Sequence, residues 1–255
     1  MVYGHEDKKN LFERLALSDS LSHAYLFFGD SGIGKFLFAR HLAYFLEKKT
    51  WDMKEHSLPL IDSRMFYPPE DKTTIGIDEA REIKSFLWST PIASLKRVAI
   101  VNDSHLLTPE AQSAMLKIVE EPPKHALIIF VSHNPSVFSA PLLSRLVRIY
   151  FKRFSYSQMV DFLKHQGVSE AEIRSMVKKS YGRPGQILSM LENQMKEKSE
   201  EDVLEEYAVK LREEGVLKNS KKLSVLLQTF TDMKRYRLNK ELQKKSTQYL
   251  LYAHH

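Results

Sequence analysis

A chain of 255 residues, 43% hydrophobic and 27% charged, has the balance of a soluble globular protein with one large domain and one or two small ones. It contains no cysteine, which excludes disulfides, thiol catalysis and any cysteine-ligated zinc or iron–sulfur site. The formal charge of +6 leans toward an acidic partner, or reflects charges spread over solvated helix faces.

The first twenty residues carry Glu6, Asp7, Lys8, Lys9, Glu13 and Arg14, so no apolar leader core is expected there. The longest apolar runs, such as 126–131, fall far short of the roughly 20 residues a bilayer-spanning helix needs. A cytosolic protein without a membrane partner is expected. Ala24–Phe28 reads as a buried strand and runs into Gly29-Asp30-Ser31-Gly32-Ile33-Gly34-Lys35-Phe36. That is G-x-x-x-x-G-K between a strand and a helix, the arrangement of a phosphate-binding loop. Gly29, Gly32 and Gly34 let the backbone turn its N–H groups toward phosphate, and Lys35 would reach the terminal phosphates. The next residue should offer a hydroxyl to magnesium, but Phe36 cannot ligate a hard cation.

Further on, Leu58–Asp62 is the weakest of the predicted strands, and Asp78–Trp88 has the apolar spacing of an amphipathic helix. The strand Val98–Val101 leads to Asn102-Asp103-Ser104-His105. An active nucleotidase would carry Asp-Glu here. Asp103 can still meet magnesium, whereas Ser104 stands in place of the carboxylate that activates water, a loss worth ~10²–10⁴ in rate. Thr108 before Pro109 caps a helix that Pro122-Pro123 stops. Leu127–Val131 and Val147–Phe151 complete the strands; all are apolar on both faces, as in a parallel sheet covered on both sides. Asn134, just past the fourth strand, fits either a sensor of the terminal phosphate or a turn before Pro135. Lys178, Lys179, Lys221 and Lys222 fit either DNA phosphates or solvated helix faces.

Several of these stretches together resemble the delta-prime and gamma subunits of the bacterial DNA polymerase III clamp loader, members of the AAA+ class. They are His23-Ala24-Tyr25-Leu26-Phe27, Ile77–Ile83, Thr108–Pro123 with Glu120-Glu121-Pro122-Pro123, and Leu143-Ser144-Arg145. The resemblance covers roughly residues 1–195 and implies an α/β fold. Its parts are an AAA+ P-loop domain with a five-stranded parallel sheet at 1–153, a helical lid at 154–195 and a short helical collar-like segment at 196–255. It implies that Arg145, with Ser144, serves as an arginine finger in a neighbouring subunit's nucleotide site. Implied partners are the gamma/tau and delta subunits, the sliding clamp and, through the complex, primed DNA. The departures distinguish subunits. Phe36 and Ser104 are not those of the motor, and Gly185 in Gly182-Arg183-Pro184-Gly185 occupies the slot of the second sensor arginine, with Arg183 two positions early. The four-cysteine module of many relatives is missing, so no zinc is expected, and ATP is expected to bind weakly or not at all. The reading is a non-hydrolysing subunit. The alternatives are a gamma/tau-like active ATPase, including one with an unusual metal arrangement, and a stand-alone DNA-binding protein.

Overall fold

The computed structural model describes residues 3–53, 59–70 and 72–197, with side chains through 191. The chain divides into two compact units, 1–187 and 188–255. The first holds the sheet together with the helical residues 156–180 that follow it, so the division at 153 and 195 stays an expectation. Lys221 and Lys222 lie outside the described residues, while Lys178 and Lys179 are exposed in the last turn of a helix.

The strands are β1 Ala24–Phe28, β2 Ser63–Phe66, β3 Arg97–Val101, β4 Ala126–Ser132 and β5 Val147–Tyr150. They form one parallel sheet in the order β2-β3-β4-β1-β5. The helices are α1 Glu6–Leu17, α2 Lys35–Lys48, α3 Ile77–Trp88, α4 Pro109–Glu120, α5 Ala140–Leu143, α6 Tyr156–His165, α7 Glu170–Ser180 and α8 Pro184–Glu197. Among the described residues no helix is long and apolar enough to cross a membrane.

The double-sided apolar strands are explained by the two cores. On β4 successive side chains point to opposite faces. Ala126, Ile128 and Phe130 enter a core with Ile83 and Leu87 of α3 and Met115 and Ile118 of α4. Leu127, Ile129 and Val131 enter the other, with Phe12 of α1 and Phe38 and Leu42 of α2. Each of the larger side chains taken from water contributes about 1.5–3 kcal/mol before entropy is charged. Thr108 caps α4 as expected, its hydroxyl oxygen accepting from Ala111 N–H at 3.2 Å, with Pro109 at the first helical position.

Two strand expectations need correction. The fifth strand is Ser63–Phe66 rather than Leu58–Asp62; Leu58 lies outside the described residues, and 59–62 precede the strand. The backbone N–H groups of Ile61 and Asp62 donate to the Glu47 carboxylate at 3.1 Å each, so side-chain acceptors replace sheet pairing there. β5 is an edge strand paired to β1, and Val147, Arg148 and Tyr150 are exposed. Its apolar run is therefore only partly core, and the Arg148 charge blunts the open edge.

Candidate functional site

The turn between β1 and α2 requires glycine at its start. Gly29 has φ +138°, and a Cβ there would stand 2.3 Å from the Phe151 carbonyl oxygen. Gly32 and Gly34 also hold positive φ, and Gly34 is the residue from which α2 springs. The loop thus ends on the N-terminus of a 14-residue helix, whose partial positive charge favours anions.

Lys35 is buried, and its amine donates to two carbonyls of its own loop, Gly29 O at 2.8 Å and Asp30 O at 2.6 Å. Burial holds the Lys35 amine down to about 8, against the opposing pull of Asp30 and Asp103. It is still cationic at neutral pH. Asp30, inside the loop, receives the Arg153 Nε–H. That hydrogen bond, with the nearby Arg153, Arg183 and Lys35 charges, keeps the Asp30 carboxyl below its usual range. The loop therefore carries a negative charge where phosphate would come, compensated from β5's far end.

Phe36 is held by packing contacts. Its ring meets Tyr67 at 5.7 Å in an edge contact and lies 5.9 Å from the Arg40 guanidinium. The residue is packed against the core on the α1–α2 side. Asp103 is exposed, sits in a left-handed turn at φ 47°, and accepts from Asn102 Nδ2 at 2.8 Å. Ser104 is fully buried and donates its hydroxyl to Val131 O of β4 at 2.9 Å. A carboxylate at this position would face a carbonyl in a closed core. Asn134 caps a short 3-10 turn at Pro135–Val137, its Oδ1 accepting from Ser136 N–H at 3.0 Å and from the Ser136 hydroxyl at 2.6 Å. The turn role offered by the sequence is thus occupied.

Arg145 and Ser144 follow α5, apart from this loop and exposed. Arg145 donates to Pro141 O at 2.7 Å and pairs with Glu120 Oε1 at 2.8 Å. The Ser144 hydroxyl also donates to Pro141 O, at 2.9 Å.

Three features gave no sequence signal because their partners lie far apart in the chain. His5, buried before α1, has Nε2 2.8 Å from Ile33 O and packs on Phe38, Phe151 and Phe154. Burial holds its imidazole below the ordinary value. His105 and His133 meet at 3.9 Å between ring centroids, beyond the ends of β3 and β4. Gly185, at the start of α8, donates its N–H to Gly32 O at 2.7 Å.

A parallel sheet in this order, a glycine loop and lysine between β1 and α2, and acidic and polar turns after β3 and β4 define an AAA+ P-loop domain. The solved structure of the Thermotoga maritima RuvB Holliday junction branch migration motor is similar in fold alone: TM-score 0.51, 16% identity, covering 72% of this chain and 59% of that one. Residues 4–155 match the family described as DNA polymerase III, delta subunit. The chain belongs to this family, whose members are AAA+ clamp-loader subunits related to gamma/tau. Curated relatives include DNA polymerase III subunit gamma/tau of Mycoplasma pneumoniae, 26% identical over 182 residues, 69% of this chain and 26% of that protein. DNA polymerase III subunit tau of Bacillus subtilis is 28% identical over 167 residues, 62% of this chain and 30% of that protein. The chain thus matches about a quarter to a third of the length of these relatives.

Proposed function

We propose that this chain is a non-hydrolysing, delta-prime-like subunit of a cytoplasmic DNA polymerase III clamp loader. Its partners are the gamma/tau and delta subunits and the sliding clamp, and it meets primed DNA through the complex. Its own loop binds ATP weakly or not at all, and it requires no cofactor. The observation that carries this reading is that both altered positions have structural employment: Phe36 is packed on Tyr67 and Ser104 is buried against Val131. Neither side chain is free to ligate a metal or activate water. Lys35 can still attract a phosphate, but Asp103 could do so only through a bridging metal, and phosphoryl transfer needs more than that one attraction.

In this proposal Arg145 is the chain's catalytic contribution, given in trans. Its planar guanidinium suits a phosphoryl group, and it is exposed, so it can leave Glu120 for a neighbour. An active gamma/tau-like ATPase is the competing reading, favoured by the names of the curated relatives. Assembly tests the partner half of the proposal. Mixed with gamma/tau and delta subunits, the chain should elute from gel filtration in a stable complex larger than any component. Elution as a separate species over the whole micromolar range would remove it from such a complex.

A further inference from the structure

The turn Gly182-Arg183-Pro184-Gly185 is fastened at both ends. Gly182 O accepts from Phe154 N–H at 2.9 Å, and Gly185 N–H donates to Gly32 O at 2.7 Å. Between them, Pro184 holds the first residue of α8 at a fixed φ. The approach at Gly185 leaves no room for a side chain. A Cβ built there would lie 2.9 Å from Gly32 Cα and 3.0 Å from Gly32 O, backbone atoms that cannot rotate aside. Gly32 itself has φ +76°, with Gln186 N and Gly185 Cα 3.6 and 3.7 Å from where its Cβ would be. Two glycines are thus pressed together, one from the phosphate loop and one from a helix about 150 residues later.

We infer that the start of α8 is a latch on the phosphate loop, closed in this structure, and that a polyphosphate reaches the loop productively only after Gly185 has left Gly32. A phosphate loop works by wrapping its backbone N–H groups around the anion. With Gly32 O bonded to Gly185, Ile33 O to His5, and Gly29 O and Asp30 O to Lys35, the loop's course is fixed at four of the five carbonyls from Gly29 to Ile33. Rewrapping at Gly32 must first break the 2.7 Å bond and the backbone contact. Apparent affinity then falls by the fraction of time the latch is open. The inference deepens the reading of a weak or silent nucleotide site, and rests on it, by naming what restrains that site.

The test uses the full chain, wild type and Gly185→Ala, with inorganic tripolyphosphate as the probe. Amide exchange is followed in peptides covering 29–35 and 182–187, and binding by calorimetry. In the wild type the loop should be protected and indifferent to tripolyphosphate. In Gly185→Ala its exchange should quicken by roughly tenfold or more, and tripolyphosphate should bind and slow it again. Should Gly185→Ala fail to fold, Pro184→Gly, which removes the buried Pro184 ring and frees the turn while adding no atom at the Gly185–Gly32 contact, decides by the same readout with a smaller acceleration. Unchanged loop exchange in the folded variant overturns the latch. So does faster exchange with tripolyphosphate bound no better than by the wild type. ATP turnover by the opened variant would instead contradict the non-hydrolysing reading while upholding the latch, so the two fail separately.

Discussion

In a reconstituted loader, Arg145→Ala should leave the complex assembled yet cut DNA-stimulated ATP hydrolysis in part and clamp loading much more. The stability cost is expected to be below about 1 kcal/mol, because the Arg145–Glu120 pair is exposed and such pairs contribute little. An arginine finger is worth ~10³–10⁵ at the site it serves. Only the one site beside this subunit would feel the loss, so total hydrolysis falls partially, while loading falls further because it needs the sites together. Arg145→Lys should rescue poorly, since an ammonium lacks the planar fork. The pairing with Glu120 supplies a control. If Arg145 merely ties the α5 turn to α4, Glu120→Gln should reproduce the Arg145→Ala defect. If Arg145 acts in trans, Glu120→Gln should keep activity at or above wild type. Full loading by an assembled Arg145→Ala complex would leave the subunit a scaffold only.

Asp62→Ala should be among the most destabilising single changes in the chain, by about 3–5 kcal/mol. The carboxylate is fully buried and accepts the N–H groups of Ile92, Ala93 and Ser94 at 2.7, 2.6 and 2.7 Å, and Arg97 Nη1 at 2.9 Å. Alanine would strand three N–H groups and a guanidinium that itself stacks 4.2 Å over Phe86. Asp62→Asn keeps one acceptor but turns an N–H toward donors, and about 1–3 kcal/mol should be lost. Burial works against the charge of Asp62, yet these donors outweigh it and hold its carboxyl below the usual value. Its contribution is therefore present above about pH 4 and is lost as pH falls through the lowered value. Urea unfolding at neutral pH measures both variants. A loss under 1 kcal/mol for Asp62→Ala would show that the 92–94 loop does not depend on this anchor.

Asp62 also marks where reading the sequence stopped short. The strands that alternate between two covered faces were legible, as was the glycine loop, because their signals are local: consecutive apolar residues, a G-x-x-x-x-G-K spacing, Thr108 before Pro109. The fifth strand was misplaced because Leu58–Asp62 looks more apolar than Ser63–Phe66. In the fold Ile61 is exposed, Asp62 is an anchor, and Arg64 earns its place in a strand by pairing with Glu82 at 2.5 Å and lying 5.0 Å over Phe66. The Asp62 anchor and the Arg64–Glu82 pair depend on partners 18 or more residues away, and the exposure of Ile61 depends on which face a neighbour covers. The candidate site divides in the same way. That Phe36 lacks a metal-binding hydroxyl and Ser104 a carboxylate was legible from residue type. That both had been absorbed into packing was not, nor was the contact of Gly185 with Gly32, since a glycine gives no sign of what it touches.

The central claim is that this phosphate loop has lost its chemistry. Steady-state ATP hydrolysis by the isolated chain, with and without Lys35→Ala, tests it most directly. Lys35 is the one conventional phosphate-binding side chain left in the loop, and its amine is spent on Gly29 O and Asp30 O. The expected result is turnover at background in both proteins, unchanged by DNA, with the two indistinguishable. Turnover within the ordinary range of P-loop ATPases, abolished by Lys35→Ala, would contradict the claim and make this chain a motor.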